Sequence, residues 1–464
     1  MSNTPLRPER ILQFGTGILL RGLPDYFVDR ANATGAYDGA IVVVKSTAGP
    51  VPDLSKGFKT YVRGMREGEA IEEEFVNQSI ARVLSADADW NQVLEAGRSP
   101  DVSVIVSNTT EAGLALVPES VFQSPPRSFP ARLTAILFER FHAHGDASGK
   151  LLVIPTELIP ENGAALREMV MEQTRFNELG SSFITWLNDH VKFCSSLVDR
   201  IVTKPSKFIQ QNAGDDPNAI QTEPYRLWAI EGDDEVMRLL PFASAAPGIV
   251  VAHDISYYRE RKLRLLNGTH TLMACHGFLS GCDTVRQCMA DSQLRAFVIS
   301  VMKQEILPRL TLGTGNENLR FADEVIDRFD NPFTEHKLLS IAFQSTLKMK
   351  MRVVPVLMSY AGTDEFPDQM TKAFAAYLRF MKVTKEGETF FGSRNGGRYP
   401  VTDDAADYFH TVWQRGADIP ALVQRICSNA SLWGTDLTRL PGFQERLVYH
   451  LGAIMSLADN PAQA

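Results

Sequence analysis

Arg10-Ile-Leu-Gln-Phe-Gly-Thr-Gly-Ile-Leu-Leu-Arg21-Gly22 is a short apolar run that meets a Gly-x-Gly turn and continues as a helix. A strand feeding a glycine turn and then a helix is the opening of a dinucleotide-binding βα unit. Gly15 permits the tight turn, and Gly17 lets the backbone approach a pyrophosphate at the helix N-terminus. The third glycine of the usual fingerprint is absent: Leu20 stands in its place and Gly22 lies two residues on. A purely structural strand–turn–helix fits the same residues equally well.

The segments that follow extend the pattern. Ile41-Val-Val-Val44 reads as a second strand about 25 residues after the glycine turn, where the strand end meets an adenosine ribose. Lys45 stands there instead of the Asp or Glu usual for NAD; a cation suits the 2′-phosphate of NADP, or is a surface lysine. Val102–Ser107 is a further strand, with the polar stretch Asn108-Thr-Thr-Glu-Ala-Gly113 just past its end. Pro130–Phe141 carries Leu133, Ile136, Leu137 and Phe141 at helical spacing. Leu151–Ile154 is again strand-like and runs into Pro155-Thr-Glu-Leu-Ile-Pro-Glu-Asn-Gly163, placing Glu157 and Asn162 at the sheet's carboxyl edge, as site residues or as turn and cap residues. Tyr225–Ile230 and Ile249–Ala252 read as strands, and the acidic run Glu231–Glu235 as a loop. Strands alternating with helices predict a parallel α/β sheet over residues 1–255.

Beyond residue 255 the character changes. Thr269–Leu279, Ser292–Leu307, Asn331–Lys350, Thr371–Met381, Asp403–Arg415 and Gln444–Met455 are helix-length segments with few β-rich runs. Residues 256–464 therefore form a mostly helical second domain, in which His336, Ser340 and Lys348 share one helical face, by default a solvated one. At its entrance lies Lys262-Leu-Arg-Leu-Leu-Asn-Gly-Thr-His270, with an amine, an amide and an imidazole suited to carbonyl chemistry. At α-helical pitch Asn267 and His270 share a face, with Lys262 one to two turns earlier. A lysine ordinarily titrates near ~10.4; burial, or a neighbour such as Arg261 or Arg264, lowers that toward the range of a general acid or base. An ordinary amphipathic helix burying Leu263, Leu265, Leu266 and Leu272 accounts for the same spacing.

Composition excludes several classes. Of the 464 residues, 44% are hydrophobic and 22% charged, which is ordinary for a globular chain. A net charge of −8 argues against general nucleic-acid binding. Five scattered cysteines without a C-x-x-C pair give neither a disulfide framework nor a structural zinc site. No apolar run approaches the ~18–20 residues that span a bilayer, and the N-terminus lacks the apolar core of a signal peptide. A cytoplasmic protein without membrane or nucleic-acid partners is expected; oligomeric state stays open.

Four features resemble the polyol-specific long-chain dehydrogenases, the mannitol dehydrogenase family: Gly15-x-Gly17 with Arg21, Ser107-Asn-Thr-Thr-Glu111, Lys262-x4-Asn267-x2-His270, and Asn331-Pro332 with Lys348. Leu197–Thr203, Tyr258-x-Glu260-Arg-Lys262 and His336-x-Leu338-Leu-Ser-Ile-Ala342 resemble the members that act on ketouronates. The resemblance implies a Rossmann-like doubly wound domain, a helical C-terminal domain and a substrate cleft between them. It implies metal-independent hydride transfer between a nicotinamide cofactor and a small ketouronate or aldonate, with NAD favoured and NADP open. Lys262 would be the acid/base, Asn267 would polarise the carbonyl and His270 would bind a hydroxyl. Cofactor contacts would come from Phe14, Gly15, Gly17, Leu20, Arg21, Lys45, Asn108, Thr110 and Glu111, and substrate contacts from Glu157, Asn162, His336 and Lys348. The sequence departs from the family where Leu158 replaces an asparagine and Ser340 an arginine. The alternatives are another ketose or polyol of the same family's chemistry, and a nucleotide-binding sensor without turnover.

Overall fold

The computed structural model describes residues 7–109, 113–206, 209, 216–245, 247–416 and 418–459. The chain divides into two compact units, Met1–Arg63 with Ala70–Ser256, and Gly64–Glu69 with Tyr257–Ala464.

The first unit contains β1 (Glu9–Phe14), β2 (Ala40–Lys45), the paired β3 (Phe58–Arg66) and β4 (Glu69–Asn77) apart from the stretch Gly64–Glu69 that joins them, β5 (Ile80–Ser85), β6 (Val104–Ser107), β7 (Leu151–Pro155) and β8 (Val191–Phe193). Six of these form one sheet in the order β5-β2-β1-β6-β7-β8, with every neighbouring pair parallel. Numbered within the sheet, that is 3-2-1-4-5-6, the doubly wound Rossmann order, with its switch point between β1 and β6.

Side-chain alternation explains why both faces must be covered. Leu12, Phe14, Val42 and Val44 enter one apolar cluster with the helices Trp90–Arg98, Phe129–His144 and Asn162–Phe176. Ile11, Ile41 and Val43 enter the other, against Tyr26, Phe27 and Val28 of the helix Pro24–Ala33. A second sheet pairs Leu227–Glu231 antiparallel to Ser196–Asp199 and parallel to Ile249–Ala252.

Among the elements that the sequence reading did not assign are a hairpin and a short helix. β3 and β4 flank Glu67 and Gly68, both at positive φ as a two-residue hairpin turn requires. The acidic run read as a loop instead starts the helix Asp234–Leu239, because the Asp233 carboxylate accepts from the Glu235 and Val236 N–H groups.

The second unit is mainly helical but differs from expectation at three places. Asn331–Lys350 is not one helix: short helices Leu338–Ile341 and Ser345–Lys348 are separated by Gln344 at φ +52°. His336, Ser340 and Lys348 therefore do not share a helical face. Thr384–Glu386, Thr389–Arg394 and Gly397–Val401 form an antiparallel sheet in the stretch left unassigned between two helix-length segments. Lys262–Gly268, Val301–Ile306 and Met349–Val353 are π-helical turns, and no ordinary helical spacing rule anticipates them. Among the described residues no helix is long and apolar enough to cross a membrane.

Gly163 shows how tightly β7 and its helix are joined. A Cβ there would lie 2.3 Å from the Ser195 nitrogen and 2.5 Å from the Cys194 carbonyl carbon, both backbone atoms. Gly17 has nothing within 4 Å of such a Cβ. Gly163→Ala is expected to destabilise the protein by about 1–3 kcal/mol, and Gly17→Ala by less than about 0.5 kcal/mol. Urea unfolding midpoints of the two variants check the contrast.

Candidate active site

The helix Ser256–Arg261 leads directly into the π-helical Lys262–Gly268, and α-helix resumes at Thr269–Leu279. This geometry alters which side chains meet. In an α-helix, residues five apart diverge by about 140°, which would turn Lys262 away from Asn267. A π turn accommodates one more residue, with i→i+5 hydrogen bonds, so residues five apart come nearly one above the other. Asn267 and His270 then follow at the three-residue spacing of a shared face. Lys262, Asn267 and His270 are each half-buried.

The turn is held from outside. Arg264 Nη1 donates to the carbonyls of Met351 at 2.7 Å and Arg352 at 3.2 Å, linking it to the π segment Met349–Val353. At Gly268 a Cβ would lie 3.6 Å from the Arg352 carbonyl oxygen. Upstream, Arg261 is fixed over the Phe321 ring at 4.3 Å and donates to the Tyr257 hydroxyl at 3.0 Å.

His270 stacks on Phe329, with ring centroids 4.7 Å apart, and its ring lies 5.3 Å from that of His336. Part of the residue reaches the surface, but Nε2 is buried and has no hydrogen-bond partner among the described residues. Burial, then the charges of His336, Arg328, Arg352 and Lys348, hold its pKa well below the ordinary histidine value. Burial, then Arg328, likewise lowers that of His336. Lys348 Nζ donates to the Ile341 carbonyl at 2.8 Å, and burial followed by Arg352 lowers its pKa, partly opposed by Cys275 and Asp403. The structure thus sets His270 beside His336, with Lys348 among the charges that act on it, while Lys262 and Asn267 lie on the π-helical segment just before it. Ser340 is exposed. Arg352 was missed by the sequence reading, although its place four residues after Lys348 was a usable signal.

In the first unit the glycine turn lies at the end of β1, at the switch point. Gly15 has φ +128°, and a Cβ there would lie 2.9 Å from Leu20 Cδ1 and 3.0 Å from the Asn108 carbonyl oxygen. Phe14 and Leu20 are fully buried and support the turn from beneath. The open space at Gly17, combined with the steric demand at Gly15, fits a dinucleotide pyrophosphate. Arg21 Nη1 donates to the Asn218 carbonyl, and the guanidinium lies 5.6 Å from the Phe58 ring centroid. Lys45 is buried, contrary to the surface-lysine alternative, and its Nζ donates to Thr47 O, Thr47 Oγ1 and Ala48 O. Asn108 Nδ2 donates to Thr156 Oγ1 at 3.0 Å. Thr110 and Glu111 lie outside the described residues.

Glu157 and Asn162 are both engaged by neighbouring groups, as the turn-and-cap alternative requires. Glu157 Oε1 accepts from Thr109 N at 2.7 Å and Thr109 Oγ1 at 3.1 Å, and Oε2 accepts from Ser107 Oγ at 3.2 Å. Asn162 Nδ2 donates to Glu157 O and Ser196 O, while its Oδ1 accepts from Ser196 N. Both are buried, and these bonds tie the ends of β6 and β7 to each other and to Ser196. Leu158, at the family's asparagine position, is 66% exposed.

Residues 9–240 match the mannitol dehydrogenase Rossmann domain and residues 254–455 the mannitol dehydrogenase C-terminal domain. The chain belongs to the mannitol dehydrogenase family. Members of this family are oxidoreductases acting on CH–OH groups. The chain is 35% identical to altronate oxidoreductase of Halalkalibacterium halodurans over 93% of its length and 88% of that protein. It is 37% identical to altronate oxidoreductase of Cronobacter sakazakii over 97% of its length and 95% of that protein. The fold is similar to Pseudomonas fluorescens mannitol 2-dehydrogenase in ternary complex with NAD and D-mannitol, with a TM-score of 0.67 and 20% identity over 98% of this chain and 95% of that one. It is similar to a D-sorbitol dehydrogenase in substrate-free form, with a TM-score of 0.77 and 18% identity over 98% and 94%.

The depressed pKa of His270 has a definite sign. The unfolded chain binds a proton near pH ~6.5 that the folded chain refuses, so this residue's contribution to stability falls as pH drops below that value. His270 is expected to stay neutral in the folded protein at pH values below the ordinary histidine midpoint, as read from its ring ¹⁵N shifts. A titration midpoint near the free-histidine value contradicts the burial described above.

Proposed function

We propose that this family member interconverts tagaturonate and altronate by reversible hydride transfer with NAD(H). The observation that carries the reading is the 35–37% identity to altronate oxidoreductases over nearly the full length; the π-helical segment that carries Lys262 and Asn267 just before His270 supports it. A bound nicotinamide nucleotide would supply or accept the hydride; Gly15 and Gly17 would hold its pyrophosphate at the switch point.

Lys262, as the ammonium, donates the proton to the alkoxide oxygen formed on reduction. In oxidation the amine form takes the hydroxyl proton, so altronate oxidation is favoured by higher pH. The Asn267 side-chain N–H points a fixed dipole at the same oxygen, a kind of contact whose removal typically costs ~10²–10³ in rate. His270, held neutral, would bind a substrate hydroxyl. The lysine cation takes the electrophilic role that zinc has in other alcohol dehydrogenases. Preference for NAD over NADP is supported by Lys45, whose ammonium is already engaged by Thr47 and Ala48 rather than turned toward a 2′-phosphate.

NADH oxidation measured with tagaturonate, fructuronate, fructose and tagatose is expected to be fastest with tagaturonate and to survive chelators. Lys262→Ala is expected to lower kcat by about 10²–10⁴, and Asn267→Ala by about 10²–10³. A Lys262→Ala enzyme that keeps its rate would remove the lysine from the chemistry. Preferred turnover of another ketose would reassign the substrate.

A further inference from the structure

Arg352 is a basic side chain beside His270 that the mechanism leaves without a task. It lies in the π segment Met349–Val353 that continues from the helix Ser345–Lys348, four residues after Lys348. Residues four apart are neighbours on a helix surface. Its Nη1 donates to Thr271 Oγ1 at 3.2 Å, and Thr271 Oγ1 donates to the Asn267 carbonyl at 2.8 Å. One hydroxyl therefore separates the guanidinium from the turn that carries Asn267 and His270.

The charges around it are unbalanced. Among the described residues, the only side-chain partner of Arg352 is that neutral hydroxyl. Burial lowers its pKa, and no carboxylate offsets the effect. Its basic neighbours are Lys348 and, through His270, His336 and Arg328, the last of which also interacts with the Glu324 carboxyl. The acid that acts on Lys348, Asp403, is engaged elsewhere: its Oδ2 accepts from Ser345 Oγ and Thr346 N, and its Oδ1 from Ala405 N. A half-buried cationic group of this kind is stabilised by an anion brought from solution. A planar guanidinium fork suits a carboxylate, which can accept two parallel N–H bonds.

We infer that Arg352, with Lys348 beside it, binds the carboxylate of the substrate and thereby selects a sugar acid over the neutral sugar. The inference rests on the proposed function and adds to it the residue that recognises the acid. Binding at Arg352 would place the charged end of the substrate near the Thr271–Asn267 link, leaving Lys262 and Asn267 to act on the carbonyl.

The test compares wild type, Arg352→Gln and Arg352→Lys on tagaturonate and on tagatose, the matching sugar without the carboxylate. Arg352→Gln is expected to lower kcat/KM for tagaturonate by about 10- to 100-fold, the size of a lost charged hydrogen bond. The loss should fall mainly in KM, and the preference for tagaturonate over tagatose should fall by the same factor. Arg352→Lys should recover part of it, and it carries the comparison if Arg352→Gln does not fold. A wild type that prefers tagatose overturns both the proposed function and this inference. A wild type that prefers tagaturonate, with variants of unchanged KM or with equal losses on both sugars, overturns the inference alone.

Discussion

The second unit depends on the contact between two π-helical turns. Lys262–Gly268 and Met349–Val353 are joined by Arg264, whose guanidinium donates to the Met351 and Arg352 carbonyls. A π turn leaves an irregular backbone, and side-chain donors from a neighbouring helix can occupy the carbonyls it displaces. Gly268 faces the Arg352 carbonyl, at a distance that leaves ordinary van der Waals contact even for a Cβ. Without that clasp, a regular helix would separate Lys262 from Asn267 by more than a third of a turn.

The same packing sets the electrostatics. Bringing His270 against Phe329 and His336 removes water from its ring, and the nearby cations make a further proton unfavourable. Two neutral imidazoles and a lysine of depressed pKa are the result of one crowded, basic neighbourhood. Such a neighbourhood is costly in an isolated protein and favourable around an anion. Stability and function are linked here through charge, rather than through hydrophobic burial alone.

In the first unit, buried polar groups fix the strand ends. Glu157 holds Ser107 and Thr109, Asn108 holds Thr156, and Asn162 spans Glu157 and Ser196. Strand ends in a parallel sheet have backbone donors with no ladder partner, and these side chains satisfy them. The glycine turn at Gly15 is packed onto the first of these ends through the Asn108 carbonyl. Glu157 and Asn162, which spacing alone places at the sheet edge, therefore act as ties that keep the edge in shape.

The sequence by itself determined the β1–Gly15-x-Gly17–helix opening, the parallel strands from Ile41 to Ile154 and the change to a helical second half. Each of these rests on local signals: continuous apolar strands covered on both faces, glycine at a strained turn, and apolar residues at helical spacing. It also presented Lys262, Asn267 and His270 as a group, through their resemblance to a known family. The π register of that group, the break of Asn331–Lys350 at Gln344, the Thr384–Val401 sheet and the place of Arg352 were decided only by tertiary structure. Their causes are contacts far apart in sequence, such as Arg264 on Met351 and Arg352 on Thr271. Local propensity does not encode which carbonyl a distant guanidinium will meet, so a helical-wheel reading could find the chemical groups but not the register that brings them together.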